Sequence, residues 1–259
     1  MNIAEKFKEG KEQNKSLLIG FITAGDPSIE LTSKLAEAMV KGGVDIIELG
    51  IPFSDPIADG PTIQSSSMRS LSNGTTTKDI LDTSKKIVEN LNVPVVLLTY
   101  YITIMKFGTD VFLQEAAKAK ISGIVSPDLP PEEGKEYVKL ARDKDIDTIF
   151  LASPATNNLR LDNIINSTSG FLYMVSLFGV TGTRDLFNEY SSDAAKRIVK
   201  RVNGRVPVAV GFGISKPEHV KHFTKLGVDG VIVGSAFIKI IEENSGNTDV
   251  MINKLNNLS

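Results

Sequence analysis

The sequence predicts an α/β chain folded as one (β/α)8 barrel. Eight short apolar runs rich in β-branched residues alternate with eight helix-like stretches. Runs spaced this way pair in parallel, because a parallel crossover needs a connection of helix length. The chain has 259 residues, a common size for one closed barrel, so a single domain over residues 1–259 with an extra N-terminal helix is expected. An open doubly wound sheet is the alternative. It is weaker because no Gly-x-Gly-x-x-Gly follows the first run, where Thr23-Ala-Gly-Asp-Pro27 stands instead.

The elements follow in order. Met1 to Lys15 is charged throughout, and Ile3 and Phe7 sit four apart, as on one face of a short helix. The expected strands are Leu17–Thr23, Val44–Leu49, Pro94–Thr99, Gly123–Ser126, Ile146–Leu151, Gly170–Val175, Val206–Val210 and Gly230–Val233. Between them, helices are expected over Ser28–Lys41, Thr77–Asn90, Asp110–Lys120, Glu132–Asp143, Asn158–Ser167, Ser192–Val202, Lys216–Leu226 and Ser235–Asn244. The Thr-Thr-Lys-Asp run ending at Asp79 and Ser215-Lys-Pro-Glu read as helix starts, each with an acid three residues past a hydroxyl. No low-complexity linker marks a domain boundary.

Composition narrows the function. A chain that is 41% hydrophobic and 23% charged is globular, and this length buries roughly 70% of its unfolded surface, so no staple is needed. A net charge of −2 without a basic block favours neither nucleic acid nor a membrane surface. The absence of cysteine excludes disulfides, thiolate nucleophiles and cysteine metal sites, and fits a reducing compartment. With no signal-like apolar core near Met1 and no membrane-length run, a cytoplasmic protein is expected.

In a barrel the chemistry sits at the C-terminal ends of the strands. Those ends read Thr23, Glu48, Tyr100, Asp128, Ser153, Ser176, Gly211–Gly213 and Gly234. None is lysine or histidine, which removes a Schiff-base aldolase and a histidine metal centre. His219 and His222 both fall in the seventh helix and read as solvated helix-face residues. Acid–base work therefore falls to Asp, Glu or Tyr.

Two acids stand out in Glu48-Leu-Gly-Ile-Pro-Phe-Ser-Asp-Pro-Ile-Ala-Asp-Gly-Pro-Thr-Ile-Gln64. Val44, Ile46 and Glu48 share a face at period two. With that face inward, Glu48 crowns an apolar column, and desolvation raises its pKa toward neutrality. Asp59 follows on a proline-stiffened loop, and Gly60 frees the backbone after it. A strand-end ion pair and a turn-forming Asp-Gly are the bland readings of these acids. Their proximity favours the functional one. Asp26, Asp55 and Asp128 are explained by turns beside prolines.

Glycine-rich turns Gly179-Val-Thr-Gly182, Gly211-Phe-Gly213 and Gly234-Ser235 follow the last three strands. They let backbone N–H groups approach an anion, and Ser235 opens a helix whose N-terminus favours negative charge. Phe21, Tyr100, Tyr173 and Phe212 lie where they could line an apolar slot. The implied ligand is a flat apolar group on a short phosphorylated tail. A sugar-phosphate isomerase and a non-catalytic activating subunit are the competing readings.

These motifs resemble the tryptophan synthase alpha chain family, in order and spacing, over nearly the whole chain. The resemblance implies a TIM barrel and the retro-aldol cleavage of indole-3-glycerol phosphate to indole and glyceraldehyde 3-phosphate. It implies that Glu48 relays protons and that Asp59 hydrogen-bonds the indole N–H. It implies substrate contacts from Phe21, Tyr100, Tyr173 and Phe212, and phosphate contacts from Gly182, Gly211, Gly213, Gly234 and Ser235. Thr181 would lie on a mobile sixth loop. The resemblance also implies a beta chain partner in an α2β2 tetramer, touched by the loop holding Pro52, Asp55 and Asp59. Pyridoxal phosphate would belong to that partner, leaving no cofactor and no metal in this chain. Leu177, Phe178 and Ile102 depart from the family pattern, where polar residues are frequent.

Overall fold

The computed structural model describes residues 1–175, 189–211, 214 and 217–257. The chain opens with α1 (Ile3–Glu12), β1 (Leu17–Thr23), α2 (Ile29–Lys41) and β2 (Ile46–Gly50). Next come α3 (Pro61–Ser72), α4 (Thr77–Leu91), β3 (Val95–Leu98), α5 (Tyr101–Phe107), α6 (Thr109–Lys118) and β4 (Gly123–Val125). The middle holds α7 (Lys135–Arg142), β5 (Asp147–Ile149), β6 (Leu151–Ala152), α8 (Asn158–Ser167) and β7 (Leu172–Val175). Last are α9 (Glu189–Val202), β8 (Val208–Gly211), α10 (Pro217–Lys225), β9 (Gly230–Val233), α11 (Ser235–Glu243) and α12 (Thr248–Asn256).

All strand pairs are parallel, in the order β5-β4-β3-β2-β1-β9-β8-β7-β6. The two end strands, β5 and β6, are consecutive in the chain with Phe150 between them. They are halves of one expected strand, Ile146–Leu151, and the Phe150 carbonyl accepts the Tyr173 N–H at 3.0 Å across the seam. The sheet therefore closes on itself as a TIM barrel, and the doubly wound alternative falls.

Period-two alternation sorts the side chains. Leu17, Ile19 and Phe21 of β1 join Ile46, Val96, Leu98, Val125, Ile149 and Ile232 inside the barrel. Ile22, Ile47, Leu49 and Leu97 face the helices. α1 plugs the lower mouth. Its Asn2–Glu5 capping box fixes the start, and Ile3 and Phe7 are buried among the barrel residues. Bare backbone at Gly123, Gly170 and Gly230 leaves room for them: a Cβ at Gly123 would stand 2.9 Å from Ile3 Cδ1.

Among the described residues, three helices lie outside the expected alternation. α3 carries three consecutive serines and no apolar stripe, α5 is only seven residues long, and α12 follows the last repeat. The Ser215 start lies outside the described residues. Val44 also departs from expectation. β2 begins only at Ile46, so the alternation does not reach back to Val44, which packs outside the barrel beside Gly20. His222 is half-buried, and its Nε2 lies 2.8 Å from Ser192 Oγ on α9, so it is not a solvated residue.

Candidate active site

Glu48 ends the inward face of β2. Its register partners are Phe21 on β1 and Val96 on β3. Both are apolar and inward, so neither offers the carboxyl a polar side chain. It is fully buried, and neither oxygen has a hydrogen-bond partner among the described residues. Burial, with the nearby Asp59 charge adding to it, pushes its pKa up from 4.5 to about 8. At neutral pH the group is chiefly a carboxylic acid.

Asp59 stands on the loop between β2 and α3. Gly60 caps α3 in an extended conformation (φ −76°, ψ 167°), and no atom lies within 4 Å of where its Cβ would be. Any residue adopts that conformation, so the expected glycine freedom is not used. The Gln64 side-chain amide donates to the Asp59 carbonyl at 2.8 Å and closes the first turn. Asp59 is half-buried, and burial raises its pKa, opposed by a hydrogen bond from Tyr100.

Glu48 and Asp59 face one cavity of about 240 Å³ at the C-terminal mouth of the barrel. Phe21, Tyr173, Gly234 and Ser235 line it too, as expected. Leu98, Ile63, Ile214 and Ile232 complete its apolar walls and were not anticipated. Leu98 and Ile232 were legible as inward positions at strand ends. Ile63 was not, because its helix was missed.

Tyr173 continues an aromatic column up the barrel axis, from Phe7 to Phe171 at 5.8 Å and on to Tyr173 at 6.3 Å. Burial raises its pKa well above the ordinary value, with Glu48 and Asp59 adding to the shift, so the phenol stays neutral. Bare backbone at Gly211 also makes room for Tyr173: a Cβ there would lie 2.5 Å from the Tyr173 hydroxyl oxygen. Gly211 is not among the residues lining the cavity, and neither is Tyr100.

Tyr100 contacts the acid loop. Its hydroxyl accepts the Ala58 N–H at 2.9 Å and engages the Asp59 carboxylate, while its ring packs on Phe53 at 5.1 Å. Burial pushes its pKa to about 12. Asp128 accepts the Tyr101 N–H at 2.6 Å and so starts α5, a structural role. Across the cavity, Gly234 precedes α11, a nine-residue helix whose first N–H groups carry no side-chain cap. Such a helix start favours an anion. Thr181, Gly182, Phe212 and Gly213 lie outside the described residues.

No group of three or more potential metal ligands occurs among the described residues, nor does any helix long and apolar enough to cross a membrane. A closed parallel barrel with two raised-pKa acids over an apolar cup defines an enzyme of acid–base type. The family profile described as tryptophan synthase alpha chain matches residues 7–259. The tryptophan synthase alpha chain of Methanosarcina mazei is 44% identical over 241 residues, covering 93% of this chain and 87% of that one. That of Arabidopsis thaliana is 42% identical over 243 residues, covering 94% and 88%. In the tryptophan synthase α2β2 complex of Pyrococcus furiosus, a chain superimposes with a TM-score of 0.85 at 42% identity, covering 94% of this chain and 97% of that one. The alpha chain of Legionella pneumophila gives 0.88 at 33% identity, covering 100% and 96%. The chain belongs to the tryptophan synthase alpha chain family.

Proposed function

We propose that Glu48 and Asp59 carry out the retro-aldol cleavage of indole-3-glycerol phosphate, the carbon–carbon lyase reaction of this family. The observation that carries the assignment is the wholly buried Glu48, unpartnered at both oxygens, opening on the same cavity as Asp59. Protonated Glu48 gives its proton to indole C3, and the ring nitrogen becomes cationic. The Asp59 carboxylate accepts the ring N–H and stabilises that cation. The Glu48 carboxylate then takes the proton of the side-chain hydroxyl. As the aldehyde carbonyl forms, the carbon–carbon bond breaks and its electrons return to the ring. Indole and glyceraldehyde 3-phosphate leave, and Glu48 is again protonated.

Binding follows from the same walls. Phe21, Leu98, Ile232 and Tyr173 offer apolar faces to a flat ring, which a ribosyl-phosphate isomerase would not need. Gly234 and Ser235 receive the phosphate at the start of α11, and Gly182 and Gly213 are assigned beside them. Phe212 and Thr181 are assigned to substrate binding on the family resemblance. Gly211 serves by making room for Tyr173, and Tyr100 by holding the acid loop.

The chain works with a beta chain in an α2β2 assembly. The Pyrococcus furiosus relative is such a complex. The loop of Pro52, Asp55 and Asp59 presents an apolar Ile57 that is 81% exposed, which suits a docking contact. Pyridoxal phosphate belongs to the beta chain, and this chain acts without a cofactor as one domain over residues 1–259 in the cytoplasm. Glu48→Gln tests the central assignment. Turnover should fall at least ~10²-fold with KM changed only a few-fold. Wild-type turnover in that variant would remove Glu48 from its role.

A further inference from the structure

The helix that follows Asp59 is held in place by an unusual contact. One face of α3, formed by Ser66, Arg69, Ser70 and Asn73, recurs at helical spacing and is polar throughout. Each of its side chains reaches the end of β1 or the turn after it. Ser66 Oγ lies 2.6 Å from Thr23 Oγ1. Ser70 Oγ donates to the Ala24 carbonyl at 2.6 Å, and Asn73 Nδ2 donates to the Pro27 carbonyl at 2.6 Å. Arg69 donates through Nε and Nη2 to the two oxygens of Asp26, both at 2.8 Å.

Asp26 forms part of that turn, its N–H donating to the Thr23 carbonyl at 3.3 Å. Its side chain is also completely buried, and Arg69 is its ion-pair partner. Arg69 Nη1 also reaches Glu242 near the end of α11 at 2.8 Å, and Ser65 at 2.9 Å. The helix beginning at Asp59-Gly60 is thus tied to both the first strand and the helix that starts at Ser235. Gly25, with φ +81°, makes the turn, and a Cβ there would lie 2.5 Å from Ser70 Oγ.

Directional contacts fix both rotation and translation of a helix, because a hydrogen bond weakens steeply away from its preferred distance and angle. A two-pronged guanidinium–carboxylate pair is the most demanding of them. We propose that this polar face, centred on the Arg69–Asp26 pair, is a positioning device that sets where Asp59 stands over the cavity, with Arg69 acting through Asp59. The inference rests on Asp59 taking part in the reaction.

A double-mutant cycle in the full-length chain tests it, with indole release from indole-3-glycerol phosphate as the activity and circular dichroism as the fold control. Arg69→Lys keeps the charge and loses the fork. It should lower kcat about tenfold with KM within about threefold, since misplacement of a reacting group acts on turnover. Ser66→Ala removes one hydroxyl and should cost a few-fold in kcat. Both losses should vanish on an Asp59→Asn background, because residues that act through one another are not additive. Should Arg69→Lys fail to fold, Ser66→Ala decides alone. Folded variants with wild-type kcat, or losses that multiply with that of Asp59→Asn, would overturn the inference while leaving the acid assignment standing. Full turnover in Asp59→Asn would sink the acid assignment itself and this inference with it.

Discussion

Glu48 has Phe21 and Val96 as its sheet neighbours, and neither offers it a hydrogen bond. This isolation has a thermodynamic consequence. Folded Glu48 keeps its proton up to about pH 8, whereas an exposed glutamate loses it near 4.5. The folded state binds more protons throughout that window, so its stability falls as pH rises across it. Below the lower value the difference is gone. Glu48→Gln should therefore stabilise the chain at pH 8–9 relative to wild type, on the order of 2–4 kcal/mol, and by little at pH 4. Denaturant unfolding at several pH values measures this, and equal pH slopes for the two proteins would count against it. Tyr100 acts in the opposite sense on Asp59, since its hydrogen bond holds that pKa down against burial. Tyr100→Phe should lower kcat about three- to tenfold and move the acidic limb of the pH–rate profile upward. An unmoved limb would return Tyr100 to a plain aromatic wall.

The elements that sequence patterning exposed were those with an apolar face. β1 and β9 match their expected bounds of Leu17–Thr23 and Gly230–Val233, as does α8 at Asn158–Ser167, because burial there follows a simple period. α3 stayed hidden because its buried residues are Ser66, Ser67 and Ser70, with Arg69 half-buried beside them, and such residues read as surface. The break at Phe150 was equally invisible, since the run around it is apolar on both sides. Capping was legible at α4. The Thr76 hydroxyl accepts the Asp79 N–H at 3.2 Å, and Asp79 accepts the Thr76 N–H at 3.0 Å. Thr76→Ala should cost about 1 kcal/mol of stability without altering kcat. A thermal melt and a turnover assay together decide this, and a kcat that drops with the melt would tie the cap to the site.

At the scale of the molecule, the barrel separates the end plugged by α1 from the end that carries both acids. α1 fills the lower mouth with Ile3 and Phe7, while both acids stand at the upper one. Ile3→Ala should lose about 2–4 kcal/mol through the cavity left behind, with turnover per folded molecule unchanged. Altered kcat in the folded fraction would show that the two ends are coupled. The placement of Glu48 and Asp59 at one mouth was legible because strand alternation and the loop after β2 converge there. The sequence did not reveal the structural parts played by Tyr100 and Gly211, because direction and close approach are tertiary facts. The Tyr100 hydroxyl turns to Ala58, and Gly211 makes space for Tyr173.

The measurement closest to the central claim is the titration of the Glu48 carboxyl itself, by infrared difference spectroscopy of wild type against Glu48→Gln. Protonated absorption that disappears near pH 8, together with activity, is the predicted result. A midpoint in the ordinary carboxylate range, with activity unaffected by crossing it, would contradict the account.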